Sequence, residues 1–373
     1  MTNIRLATIG TSSISDNLIE ALQQVGGIDY LGTMSRDLSR ARAFTEAHGG
    51  ARPFGSIDEL ASCPEVDAVY VASPNAPHFE QALDLVRAGK HVLVEKPLCA
   101  NRRQAEALFR AAEERGVVAM EAIRPIHDPA WAAMASYVPT LGQLRRATLR
   151  FGKYSSRYDK VLAGEQTNIF DARMASGSLM DIGIYCVEPM VALWGAPSAV
   201  ASVCLPISDA GSEACGGVID GAGSALCRYG EGTRQFVVEL AHSKICDDKL
   251  PSQIEGEAAT LSMDAPNTPQ HAHVDYRGVP VPAIKATDPT SAGDRREEIA
   301  IAPCANSMEF ELHDFAALVR AARGEQDVRL TTMWGELDAA SALRRFTEVT
   351  LESLGVCDEV RRQAGIVFPA DAE

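Results

Sequence analysis

The first 120 residues alternate between two hydrophobic periods. Short apolar runs (IRLATIG, IDYLGTMS, VDAVYVAS, HVLVEK and VVAMEAI) are separated by stretches whose apolar positions recur every three or four residues (SDNLIEALQQVG, LSRARAFTEAHGG, APHFEQALDLVRAGK and NRRQAEALFRAAEERG). The first kind predicts strands buried on both faces, the second amphipathic helices. Strands that each lead into a helix predict a doubly wound parallel sheet with helices on both sides. After about residue 124 the rhythm changes. LRRATLRFG, AVASVCLPI, SALCRYG, TRQFVVELAH, SQIEGE and ATLSMD are β-like runs joined by Gly and Asp turns. They predict a second domain on a mostly antiparallel sheet. One helix interrupts it early, SGSLMDIGIYCVEPMVALWG, stopped by Gly195 and Pro197. There Leu179, Ile182, Cys186, Met190 and Leu193 are spaced as one apolar stripe, with Asp181 and Tyr185 side by side off it. Residues 264–298 are rich in Pro and charge and are expected to form an exposed loop or a long hairpin. Two late helices, around SMEFELHDFAALVRAARG and TTMWGELDAASALRRFTEVTLESLG, close the chain. The expected division is 1–124 and 125–373.

Charge narrows the possible partners. The 373 residues carry a net charge of -15, and the one arginine-rich stretch, RRQAEALFRAAEER, mixes signs. Nucleic acid and anionic membrane are therefore not expected partners; a small molecule is. No apolar run is long enough to span a bilayer, and no signal peptide is expected before the first strand. Nine cysteines without a C-x-x-C pair predict reduced thiols in a cytoplasmic protein. No metal site is expected. His271 and His273 lack a third ligand and read as surface residues.

The chemistry begins at IGTSSISDNLIEAL. A G-x-G-x-x-G reading places Gly10, Ser12 and Ser15 at the three glycine positions, so two glycines are missing. Yet the loop joins the first strand to a helix N-terminus, where backbone N–H groups and the helix dipole favour phosphate. Gly10 would make the tight turn, and Ser12 and Ser13 would add hydroxyl donors. The competing reading is a serine cap without a ligand. The second strand ends TMSRDLSRARAF. An acidic residue there would read the NAD ribose; Ser35, Arg36 and Arg40 instead suit the 2′-phosphate of NADP. Asp37 keeps NAD open, and both arginines also read as solvated helix-start residues. SPNAPH and HVLVEKP end the third and fourth strands, where an open parallel sheet binds its ligands. Lys96 stands there beside Pro97, either as a buried cation near the reaction or as a surface lysine.

GKHVLVEKP, preceded by SPNAPH and followed by EAIRP, resembles the Gfo/Idh/MocA oxidoreductases over nearly the whole chain. SGSLMDIGIY resembles that family's G-G-x-L-x-D-x-G-x-H helix, and RRQAGIVFPAD the ending of many members. The resemblance implies an N-terminal Rossmann domain, a C-terminal α/β domain with a large open sheet, and a homodimer or homotetramer formed through that sheet. With the loop residues above, it implies a cofactor site of Gly10, Ser12, Ser13, Ile14, Ser35, Arg36, Arg40, Ser73, Asn75, His78, Glu95, Lys96 and Arg124. The usual histidine of the helix motif is Tyr185 here. The branch resembling dimeric dihydrodiol dehydrogenases carries Tyr at that place as acid/base and uses NADP; its R-D-L-S-R-A segment resembles Arg36–Ala41, and its relatives share the GTSxI loop.

The expected activity is hydride transfer between nicotinamide and a secondary alcohol or ketone of a sugar, polyol or cyclic diol. Tyr185 would exchange the hydroxyl proton, helped by Lys96, with Asp181 orienting Lys96 or the substrate. His78 would be the next proton source. Arg157 and Tyr158 of YSSRYDK are weaker candidates for substrate contact, since such a run also reads as a solvated loop. The alternatives are a redox-cycling hydrolase or eliminase with tightly held NAD(H), and a cofactor-binding sensor without turnover.

Overall fold

The computed structural model describes residues 3–280, 291–292 and 295–372. The opening alternation folds as its periods dictate. Five strands, β1 (Ile4–Ile9), β2 (Ile28–Met34), β3 (Ala68–Val71), β4 (His91–Glu95) and β5 (Ala119–Ala122), form a parallel sheet in the order β2-β1-β3-β4-β5. Every residue of β3, β4 and β5 is buried, as strands covered on both faces require. The covering helices are α1 (Ser13–Leu22), α2 (Leu38–Ala47), α3 (Ile57–Ser62), α4 (His78–Arg87) and α5 (Arg102–Arg115). The Asn101 side chain caps α5, and Gly116 ends it in a left-handed conformation.

Two short helices the pattern did not predict, α6 (Arg124–His127) and α7 (Pro129–Tyr137), lead out of this sheet. Both are short segments with Pro in the first turn. Next come β6 (Leu144–Gly152), α8 (Ser156–Leu162), α9 (Ile184–Trp194), β7 (Ala199–Pro206), β8 (Asp220–Tyr229), β9 (Phe236–Ser243), β10 (Ser252–Gly256), β11 (Ala259–Met263), β12 (Ala272–Tyr276), β13 (Val279–Pro280), β14 (Ser291–Ala292) and β15 (Arg295–Ile299). Eight of these strands form one sheet, β15-β12-β11-β10-β6-β9-β8-β7, antiparallel except for the β6–β9 pair. The Pro-rich segment takes its long-hairpin form. Ala272 and Val274 alternate inward, and β12 pairs with β15 from Ala272↔Ile299 to Tyr276↔Arg295. The rest of that expectation, residues 281–290 and 293–294, lies outside the described residues.

The chain closes with α10 (Met308–Ala322), the ribbon β16 (Arg329–Thr332) and β17 (Gly335–Asp338), and α11 (Ala339–Ala364). These late helices return to the first sheet: α10 packs on α1, and α11 on α5 and β5. Arg102 bonds Glu352, and Arg361 sits between Asp358 and Asp371. No described helix is long and apolar enough to cross a membrane.

Asp67 holds a second such junction. It accepts from the Arg5 backbone and guanidinium and pairs with Arg323, just beyond α10. Burial works against its charge, but the bonds from Arg5 and the ion pair with Arg323 outweigh it and lower the carboxyl to about 2. A depressed folded value gives stability that is complete above the unfolded value near 3.9 and lost as pH falls towards 2. Arg5 is partly exposed, so screening leaves about 1 kcal/mol. Asp67→Asn should lower stability by that amount at pH 7, and the gap in denaturant midpoint should close between pH 4 and 2. A gap that persists at pH 2 would show that packing, not charge, explains the loss.

Candidate active site

The opening loop is built for close approach. Gly10 has φ +105°, and a Cβ there would lie 2.7 Å from the Ala72 carbonyl oxygen, so only glycine fits between β1 and β3. Ser12 is the cap residue of α1, but its hydroxyl makes no capping bond. Ser12 and Ser13 are exposed, Ile14 packs on the core, and the buried Ser15 hydroxyl has no partner among the described residues. The loop thus presents a helix N-terminus and unpaired hydroxyls, the donor set a pyrophosphate takes.

At the end of β2, Asp37 is already committed. Its carboxylate accepts from the Ser39 and Arg40 backbone N–H groups and the Ser39 hydroxyl, capping α2. The Ser39 hydroxyl, then these backbone bonds, lower its pKa. Ser35 Oγ accepts from the Asp37 N–H, and Arg40 reaches back to Thr11 Oγ1 at 2.8 Å. Arg36 is exposed, and its guanidinium has no partner among the described residues.

The residues after β3 bind chiefly to the protein. Ser73 Oγ donates to Gln81, and Asn75 donates to the Ala175 carbonyl at 2.9 Å, joining this loop to the segment before α9. His78 cannot be the reserve proton source. It is fully buried at the start of α4, with Nδ1 3.0 Å from the Pro97 carbonyl oxygen and Nε2 2.9 Å from that of Ser73. Both ring nitrogens face backbone, and burial lowers its pKa.

Lys96 is largely but not fully covered and turned toward the second half of the chain. Its ammonium donates to the Asp181 carbonyl at 2.7 Å and to Asp181 Oδ1 at 3.0 Å, and lies 5.2 Å from the centre of the Tyr185 ring. Burial opposes the charge, but Asp181, Tyr185 and Glu95 outweigh it and raise the pKa. Glu95 is buried beneath: it accepts the Tyr70 hydroxyl at 2.5 Å and the Lys96 N–H at 3.2 Å. Burial raises its pKa. Glu95 therefore supports Lys96 from within the sheet.

The helix carrying Asp181 and Tyr185 departs from the expected stripe. Leu179–Gly183 form a π-helical turn, and every residue from Ile184 to Ala192 is buried. The element packs against β6, β9, α6 and α11, so no face is left to solvent and apolar spacing does not distinguish one side. Asp181 and Tyr185 do come together, with Lys96 between them. The Tyr185 hydroxyl lies 3.5 Å from an Arg124 nitrogen, and its ring meets Phe151 edge-on at 5.9 Å. Burial raises the phenol's pKa. Lys96 and Arg124 pull it down without cancelling that effect, so the resting group is protonated. Lys96 does favour ionisation of the phenol, but desolvation is the larger effect.

One residue the sequence reading missed completes the cluster. Lys244, just after β9, is buried and donates to Asp181 Oδ2. Asp181 thus carries an ammonium on each oxygen. Burial opposes its ionisation, but Lys96 and Lys244 hold it well below the usual carboxylate range. It is a fixed anion, unsuited to proton transfer. Arg157 is exposed and makes no side-chain bond among the described residues, whereas Tyr158 packs on Phe170. Their helix α8 is tied to this region by the Ser155 N–H, which donates to the Lys244 carbonyl.

The first sheet, residues 4–123, matches the family model described as an oxidoreductase family with an NAD-binding Rossmann fold. Across its length the chain is 33% identical to the scyllo-inositol 2-dehydrogenase (NADP(+)) IolU of Bacillus subtilis, covering 99% of both proteins. The chain belongs to the Gfo/Idh/MocA oxidoreductase family. As a member it is an NAD(P)-dependent oxidoreductase. It is also 32% identical over 196 residues to trans-1,2-dihydrobenzene-1,2-diol dehydrogenase of Macaca fuscata fuscata, which spans 52% of this chain and 56% of that one. Among solved structures, KijD10, a 3-ketoreductase from Actinomadura kijaniata in complex with NADP and TDP-benzene, shares the fold of this Gfo/Idh/MocA chain. It superposes with a TM-score of 0.75 at 24% identity, over 97% of this chain and 98% of that one.

Proposed function

We propose that this Gfo/Idh/MocA enzyme is an NADP-dependent dehydrogenase or reductase for a secondary alcohol or ketone of a sugar, polyol or cyclic diol. The observation that carries the reading is the Tyr185 phenol flanked by Lys96 and Arg124, at the carboxyl end of the first sheet. Relatives named for scyllo-inositol and dihydrobenzenediol support the substrate class.

The loop Gly10–Ser13 and Ile14 would hold the pyrophosphate, and Ser35, Arg36 and Arg40 the 2′-phosphate. Ser73, Asn75, His78, Glu95 and Arg124 would shape the nicotinamide end. When bound, nicotinamide supplies the acceptor or donor of hydride. Tyr185 gives its hydroxyl proton to the carbonyl oxygen in reduction and takes it back in oxidation. Lys96 and Arg124 stabilise the phenolate left behind. Asp181 holds Lys96 in place. Arg157 and Tyr158 are assigned weaker substrate contacts. Residues 1–124 would serve as the cofactor domain and 125–373 as the substrate and assembly domain. The exposed Val203, Leu205, Leu226 and Val237 on β7, β8 and β9 favour a homodimer or homotetramer through the large sheet. The nine free thiols fit a reducing cytoplasm.

A panel of sugars, polyols and cyclic diols with both cofactors, followed by absorbance of the reduced nicotinamide, tests the activity; no turnover on any of them counts against it. Arg36→Ala tests the cofactor. A free guanidinium meeting a phosphate is worth about 1.5–3 kcal/mol, so NADP affinity should fall about tenfold to a hundredfold with NAD unchanged. Equal losses for both cofactors would remove the NADP assignment.

A further inference from the structure

We infer that Lys244 is a substrate-binding residue that holds the hydroxyl next to the reacting carbon, so that this site selects vicinal diols over isolated secondary alcohols. The inference rests on the roles proposed for Lys96 and Tyr185. Its starting point is a count of donors. An ammonium carries three N–H donors. Among the described residues the Lys244 side chain has one partner, Asp181 Oδ2, and is 9% exposed. Two donors of a nearly buried cation are therefore left without a protein acceptor, which is costly unless a ligand or water supplies one. Lys96 uses two donors on Asp181, through the carbonyl and Oδ1, and keeps one.

The spacing gives the ligand's chemistry. Both ammoniums sit on one carboxylate, one per oxygen, so they are separated by little more than that group's width plus two hydrogen bonds. Neighbouring hydroxyls of a gauche 1,2-diol are, like the two carboxylate oxygens, an adjacent oxygen pair, so one diol can meet both ammoniums as Asp181 does. Lys96, with Tyr185 beside it, takes the reacting oxygen; Lys244 takes its neighbour. Holding Asp181 ionised does not by itself call for Lys244, since Lys96 already pairs with it. An isolated alcohol leaves the Lys244 donors unmatched, a penalty that weighs against that substrate.

The test compares trans-1,2-cyclohexanediol with cyclohexanol, using NADP and the full chain. The wild-type enzyme should show a kcat/KM at least about tenfold higher on the diol. Lys244→Met should reduce kcat/KM on the diol about tenfold to a hundredfold, mainly through KM, the range for a hydrogen bond to a charged group. Turnover of cyclohexanol should fall by a clearly smaller factor, because only the share that Lys244 carries through Asp181 is lost there. Lys244→Gln, one bond shorter but with two N–H donors, should recover part of the preference, and it replaces the Met variant if that does not fold. Equal losses on both alcohols would overturn the inference, because Lys244 would then act only through Asp181. Equal wild-type kcat/KM values on the two alcohols would overturn it too. No wild-type turnover on either probe, with activity elsewhere in the panel, would reject the vicinal-diol rule. No activity on anything would reject the underlying reading.

Discussion

Tyr185→Phe should lower turnover by about 10²–10⁴-fold, the usual contribution of a positioned acid or base. The substitution deletes one oxygen. The ring keeps its edge contact with Phe151 and its place in a helix buried on all sides, so the fold and cofactor affinity should survive. The pH profile is the sharper readout. Burial raises the phenol's pKa in spite of Lys96 and Arg124. In ketone reduction the active form is the protonated phenol, so the rate should hold through neutrality and fall only at alkaline pH. In alcohol oxidation the ionised form is needed, so the rate should rise with pH towards the same limb. The Phe variant should lose that limb in both directions. Unchanged turnover on a substrate for which chemistry limits the rate would make Tyr185 a structural residue.

Lys96→Met should cost a comparable factor, for a different reason. The thioether fills much of the stem's volume but removes a cation held charged at any working pH. The phenolate formed as Tyr185 releases its proton then loses one of its two counter-charges, and Asp181 is left with Lys244 alone. Single-turnover rates should fall with little change in NADP affinity. Because both side chains act on one oxygen, the double variant should lose less than the product of the single losses. Fully multiplicative losses would mean that Lys96 and Tyr185 serve separate steps.

The doubly wound half was legible because its two periods are local: four-residue strands such as AVYV and the cap of α5 need no distant partner to be recognised. The convergence of Lys96, Asp181 and Tyr185 was also legible, since each sits in a recognisable motif. Lys244 was not. It follows an ordinary half-buried strand and meets Asp181 from 63 residues away, so only the parallel pairing of β6 with β9 and the packing of α9 bring it in. The apolar stripe around Asp181 failed because spacing reports which face is buried only when another face is wet. Asp37 could not be placed as helix cap or ribose reader from sequence alone, as both roles ask for the same residue at the same turn.

The return of α10 and α11 to the first sheet sets the order in which the molecule is completed during synthesis. Residues 4–122 supply every strand of the cofactor sheet, yet the outer face of α5 and the edge at β5 gain cover from α10 and α11, near the end of the chain. A nascent chain that has just passed residue 122 holds every strand of that sheet but not yet the helices that cover this flank. The contacts of Arg102 with Glu352 and of Asn101 with Asp371 close that flank once the last helix has left the ribosome. Cofactor binding during translation would thus meet an unfinished domain, and a chain cut short before α11 would expose the surface that chaperones and proteases recognise.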